Sequence, residues 1–151
     1  MGEPASGSCA GSLHGFRVRV YYEDTDAGGI VYHANYLKFA ERARTEFLRL
    51  CGIGQDAMRT ENGIGFAVRR CVVDFQAPAR LDDVLEVRTR LHGVKGARVN
   101  AEQWLYKVMD NKVEHDWCVR LKLELASIGR YGRPVRLPER VRETFKMALV
   151  T

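Results

Sequence analysis

No apolar run in this sequence approaches the 18 or so residues needed to cross a bilayer as a helix, so no membrane-spanning helix is expected. The four cysteines, Cys9, Cys51, Cys71 and Cys118, lie far apart and include no C-x-x-C pair, which argues against a zinc site. Free thiols in a reducing compartment are the simpler account, and Cys51, Cys71 and Cys118 fall inside predicted elements, where a small buried apolar residue is the default. Residues 1–15 lack the basic start and apolar centre of a secretory signal; they read as a flexible N-terminal tail and point to a cytoplasmic site. Met1-Gly2 with Ser6 matches an N-myristoylation pattern formally, but no basic cluster follows to reinforce a single acyl chain. Internal repeats and a second composition are also missing, so residues 16–151 form one domain, with the 46% apolar content to build its core.

The net charge of +5 favours anionic partners. Nucleic acid is not expected among them. Binding it would require aromatic residues gathered on a basic face, and the aromatic residues here fit strand and helix positions of a core.

Residues 21–48 carry the densest pattern. Phe16, Val18, Val20 and Tyr22 alternate with Arg17, Arg19 and Tyr21, the period of a strand with one apolar face, and the run breaks into an acidic, glycine-containing turn. A helix follows from about Ala34 to Cys51. Tyr36, Ala40, Ala43, Phe47 and Leu50 form its apolar stripe, and Lys38, Glu41, Arg42, Thr45 and Arg49 its polar side. Gly52 is placed to end it through a left-handed residue, with Ile53 closing an apolar contact. The helix N-terminus faces back towards Asp24, Asp26 and His33, so unpaired backbone N–H groups lie close to carboxylates.

Phe66 to Phe75, Val84 to Val94, Ala97 to Asp110 and Val113 to Ser127 read as further strands, with a break at Gln76-Ala77-Pro78-Ala79-Arg80 and tight turns at Lys95-Gly96 and Asp110-Asn111-Lys112. The hairpins make an antiparallel sheet. The order β-α-β-β-β-β is α+β, and a sheet of about five strands buries its apolar face by wrapping around the one long helix. Residues 137–147 are expected to form a short peripheral helix, with Pro138 in its first turn.

The run Tyr22-Glu23-Asp24-Thr25-Asp26-Ala27-Gly28-Gly29-Ile30-Val31-Tyr32-His33-Ala34-Asn35-Tyr36, followed by Glu41-Arg42-Ala43-Arg44-Thr45-Glu46, resembles the hotdog-fold acyl-CoA thioesterases of the 4-hydroxybenzoyl-CoA thioesterase type. The subgroup associated with the Tol-Pal envelope system is the most similar, and the resemblance extends from about Phe16 to Leu137 through Ala77-Pro78-Ala79-Arg80-Leu81-Asp82-Asp83. It implies the hotdog fold and hydrolysis of acyl-CoA to a carboxylic acid and free coenzyme A. Coenzyme A is then part of the substrate, and no separate cofactor or metal is implied.

On this resemblance Asp26 matches the catalytic carboxylate, acting either as nucleophile on the thioester carbon or as general base towards water. By position alone, an aspartate there would more often cap a helix or form a turn. Asp24 and Glu23 miss the family position and read as solvated. The His33 backbone N–H corresponds to the donor that polarises the substrate carbonyl, and the His33 and Tyr22 side chains occupy positions where the subgroup carries histidine and tyrosine. A packing tyrosine and a structural histidine are the alternatives. Gly28 and Gly29 let the turn approach the acyl group or adopt positive φ. Asp24, Asp26 and His33 could also be weighed as metal ligands, but their spacing fits no ligand pattern.

Lys95 roughly matches a basic family position for coenzyme A phosphates, and Arg98 joins it by proximity; a solvated hairpin is the plainer reading. The resemblance further implies a homodimer or homotetramer with the active site between subunits. Acyl carrier protein and inner-membrane envelope components are further partners it allows, with loose attachment at the inner membrane. A non-catalytic acyl-CoA or acyl-carrier-protein binding module associated with the cell envelope is the alternative function.

Overall fold

The computed structural model describes residues 6–149. Six strands form one antiparallel sheet: β1 (Ser8–Ala10), β2 (Leu13–Arg19), β3 (Gly65–Phe75), β4 (Val84–Lys95), β5 (Arg98–Met109) and β6 (Lys112–Ile128), in the order β1-β2-β4-β5-β6-β3. The helix α1 (Asn35–Leu50) lies in the concave side of the sheet, a short turn of helix, α2 (Gln55–Ala57), follows it, and α3 (Glu139–Leu149) closes the chain. Strand alternation explains the layers. Leu85, Val87 and Thr89 of β4, Val99, Ala101, Gln103 and Leu105 of β5, and Val119, Leu121 and Leu123 of β6 all point inward and are buried.

Of the tail expected over residues 1–15, residues 1–5 lie outside the described residues, and the remainder belongs to the sheet. β1 pairs with β2, Gly11 takes φ +62° in the connecting turn, and Ser6 Oγ donates to Glu46 Oε2 at 2.7 Å. This hairpin raises the strand count from the expected five to six; its small polar residues offer no apolar alternation to reveal it.

α1 begins and ends within one residue of expectation. Tyr36, Ala40, Ala43 and Phe47 are buried as predicted, but Leu50 is 41% exposed and Leu48 is buried in its place. The helix end explains the exchange. Gly52, at φ +79°, donates to Arg49 O at 3.0 Å and Ile53 donates to Leu48 O at 2.8 Å, a Schellman ending that pairs Ile53 with Leu48. Nor is α3 peripheral: Val141 and Phe145 are buried in the second of two apolar clusters, with Phe47, Leu91, Val99 and Leu125. Of the cysteines only Cys118 is buried; Cys9 is exposed, and Cys51 and Cys71 are half-buried.

At the hairpin tips, Asp110 and Asn111 have φ of +49° and +62°, which suits the two-residue turn joining β5 to β6. β3 is a sheet edge. Its Val68, Val72 and Phe75 are exposed, and a register shift lies between Val68 and Arg70.

Candidate active site

β2 ends at Arg19, three residues short of the expected strand, which ran to Tyr22. The backbone then tightens into a 3-10 turn over Tyr22–Asp24, because Asp24 Oδ2 accepts the Tyr21 N–H at 2.8 Å. Tyr22 is therefore neither in a strand nor packed: it is 83% exposed. Asp24, expected to be solvated, is 4% exposed and accepts from Asn35 Nδ2 at 2.9 Å through its other oxygen. A buried carboxylate is tolerated because both oxygens are hydrogen-bonded.

The next loop is a small, closed hairpin. Thr25 bridges Val31, Asp26 N–H donates to Ile30 O at 2.8 Å, and Gly29 N–H donates to Asp26 O at 3.1 Å. Asp26 stands exposed at this hairpin. Its Oδ1 accepts from Gly28 N at 2.8 Å and from Ile30 N at 3.4 Å, so one carboxylate oxygen is fixed by backbone amides. Oδ2 has no partner among the described residues and remains available for chemistry.

The two glycines serve different ends. Gly29 takes φ +80°, which a residue with a side chain adopts only under strain. A Cβ added to Gly28 would lie 3.2 Å from Asp26 Oδ1. Gly28 thus leaves space for the carboxylate.

Val31 N–H donates to Ala79 O at 2.9 Å, Ile30 bridges Arg80, and Ala79 N–H donates to the Tyr36 hydroxyl at 3.0 Å. The Ala77–Asp83 turn therefore clamps the Asp26 hairpin to the first turn of α1. Ala34 caps that helix without a side-chain hydrogen bond, and no acidic residue occupies its first turn. The His33 N–H, one residue earlier, has no acceptor among the described residues. The His33 ring is exposed, 4.5 Å from the Tyr32 ring and 6.5 Å from that of Phe75, centroid to centroid. Asp26, Gly28, Gly29 and His33 are thus brought together on one short segment, with Tyr22 at its edge.

Lys95 and Arg98 are not part of this group. They face each other across the β4–β5 turn, eleven residue steps along β4 from Val84, or about 36 Å of strand. Arg98 Nη1 is 3.2 Å from Glu124 Oε1, which also takes Arg69 at 2.9 Å, so its charge is already engaged. The segment that follows β6 carries further cations that sequence reasoning missed. Ser127 N–H donates to Ala97 O, and the loop beyond β6 folds back through an Ile128–Pro134 bridge, carrying exposed Arg130, Arg133 and Arg136 without a carboxylate partner among the described residues. Their signal was an arginine at every third position in Arg130-Tyr131-Gly132-Arg133-Pro134-Val135-Arg136.

No group of three or more His, Cys, Asp or Glu side chains is gathered for a metal among the described residues. Burial pushes all four thiols up from the ordinary cysteine range, away from nucleophilic thiolate.

A wrapped antiparallel sheet with a carboxylate hairpin ahead of its central helix defines a class of protein, and residues 20–145 match the model of the thioesterase-like superfamily. The chain belongs to that family. The acyl-CoA thioesterase YbgC of Haemophilus influenzae is 42% identical over 132 residues, covering 86% of this chain and 92% of that protein. The crystal structure of a probable thioesterase from Bartonella henselae is 40% identical with a TM-score of 0.75, covering 83% of this chain and 99% of that one. A 4-hydroxybenzoyl CoA thioesterase variant solved with 4-hydroxybenzoyl CoA shares the hotdog fold, at 20% identity and a TM-score of 0.80, covering 88% of this chain and 98% of that one.

Proposed function

We propose that this chain hydrolyses acyl-CoA thioesters, with Asp26 as the reacting carboxylate and the His33 N–H as donor to the substrate carbonyl. The observation that carries this reading is the state of the two groups: among the described residues Asp26 has one oxygen fixed by Gly28 N–H and the other without a partner, and the His33 N–H has no acceptor. The name borne by the Haemophilus influenzae relative supports the substrate class. In the reaction Asp26 either attacks the thioester carbon, expelling the thiolate and leaving a mixed anhydride that water opens, or removes a proton from the attacking water. In both routes negative charge develops on the carbonyl oxygen, and a well-placed donor there contributes about 3 kcal/mol.

The carrier groove is completed by a second copy of the chain. β3 offers an unpaired edge with Val68, Val72 and Phe75 exposed, and an antiparallel β3–β3 pairing would be self-complementary. The Phe75 end of β3 lies against His33 and Tyr36, and its Gly65 end lies beside Ile128 and the arginine loop. Such a pairing brings the arginine loop of one copy to the Asp26 hairpin of the other. Lys95, Arg130, Arg133 and Arg136 are then the cations for coenzyme A phosphates, in place of the engaged Arg98.

Thiol release from an acyl-CoA panel, compared between the native chain and Asp26→Asn, tests the reading. A fall of about a hundredfold or more in Asp26→Asn is expected. Equal turnover by both forms would assign the chemistry elsewhere, and saturable acyl-CoA binding without thiol release would identify a binding module. Single turnover in ¹⁸O-labelled water that leaves label in the Asp26 carboxylate identifies the anhydride route, opened by water at the Asp26 carbonyl.

A further inference from the structure

A cavity of about 230 Å³ lies between the C-terminal half of α1 and the sheet, away from the Asp26 hairpin of the same chain. Its deep end is apolar: Phe145, Val99 and Leu125 are all buried. Its outer end is bounded by exposed Glu41, Gln55 and Val68 and so opens at the β3 edge. The charged residues of its lining are Glu41 and Arg44, and Arg44 is held to the wall by Gln103 Oε1 at 2.9 Å. From Asn35 to Phe47 the axis of α1 advances about 18 Å, which separates this cavity from the hairpin that precedes its own helix.

We propose that this cavity receives the acyl group of a thioester bound at Asp26 of a second copy, and that Phe145 of α3 sets the length of acyl chain accepted. The inference rests on the acyl-CoA reading and on the β3 pairing above, which sets the Val68 end of one copy beside the hairpin of the other. Phe145 is 1% exposed and its ring centroid lies 6.0 Å from that of Phe66, so its side chain closes the deep end rather than the mouth. An apolar cavity of about 150 Å³ accommodates benzene. In proportion, 230 Å³ holds roughly nine carbon atoms. The acyl class is therefore a medium chain or a single substituted ring, and a chain of sixteen carbons is too long.

The test measures binding of S-alkyl-CoA thioethers, which cannot be hydrolysed, from four to sixteen carbons. With the native chain, affinity is expected to rise about fourfold per added methylene, the equivalent of about 0.8 kcal/mol, and to level off near eight or nine carbons. Phe145→Ala is expected to move that break out by two carbons or more. Ala101→Leu, which narrows the cavity from β5, is expected to move it in, and stands as the test should Phe145→Ala fail to fold. A break at the same length in native and folded variant chains, or no break up to sixteen carbons, overturns the inference. Thiol release from the matching thioesters is measured beside it. Its absence with the break intact removes hydrolysis and leaves the cavity assignment standing.

Discussion

Asn35, the first residue of α1, donates its side-chain amide to Oδ1 of Asp24 at 2.9 Å, and so joins the two ends of the hairpin that carries Asp26. Both residues are buried, at 7% and 4% exposure. The carboxylate two residues before Asp26 is thus a structural tie.

Asn35→Ala is expected to lower stability by about 1.5–3 kcal/mol, the range for a lost hydrogen bond to a buried charge, and to reduce turnover by freeing the hairpin. Urea unfolding and thiol release measure the two effects. Asp26→Asn changes an exposed side chain and should shift stability by no more than about 0.5 kcal/mol. Equal destabilisation by both substitutions would contradict the division of labour between the two aspartates.

Gly28→Ala and Gly29→Ala separate space from conformation. The first places a Cβ 3.2 Å from Asp26 Oδ1 and is expected to lower kcat roughly tenfold through a displaced carboxylate, with little loss of stability. At Gly29 nothing lies within 4 Å of the added Cβ, but φ is +80°. A stability loss of about 1–2 kcal/mol is expected there. Identical profiles for the two variants would refute the distinction.

His14 is wholly buried, with Nε2 2.8 Å from Ser6 O and its ring edge-on to Phe47. Burial lowers its pKa, while the Ser6 carbonyl and the Glu46 carboxylate act in the opposite sense. The unfolded chain therefore takes up this proton at a higher pH than the folded one. The stability contribution is fully present above about pH 6.5 and declines as the pH falls from there towards the folded pKa, by up to about 1.4 kcal/mol per pH unit. His14→Phe, which keeps the contact with Phe47, should flatten urea midpoints between pH 5 and 7; an unchanged slope would point to other groups.

Gln103 is completely buried, donating to Ala40 O at 2.9 Å and Thr89 Oγ1 at 3.0 Å and accepting from Arg44. Gln103→Leu is close to isosteric yet strands all three partners. A loss of about 3 kcal/mol is expected by urea unfolding, and a loss under 0.5 kcal/mol would mean that water replaces the amide.

Much of this molecule was legible in one dimension because its signals are local. The alternation of Phe16, Val18 and Val20, the stripe of Tyr36, Ala40, Ala43 and Phe47, and Gly52 ahead of Ile53 each follow from backbone period or from a single φ requirement. The motif from Tyr22 to Tyr36 marked Asp26, Gly28, Gly29 and His33 by resemblance, and the fold places them on one segment.

What the tertiary structure alone decided are relations between distant residues. Asp24 and Asp26 look alike in sequence, and only the position of Asn35 buries one and leaves the other exposed. Gln103 falls at an inward strand position where an apolar residue is the rule; its partners arrive from α1 and β4. Arg98 and Lys95 share a turn, but Glu124, brought in by β6, engages one of them. α3 contributes Phe145 to a cavity whose other walls come from α1, α2, β3, β4, β5 and β6. Periodicity reports which face of an element is apolar, whereas which polar groups meet, and which chain end closes a pocket, depends on packing between elements that lie far apart in the chain.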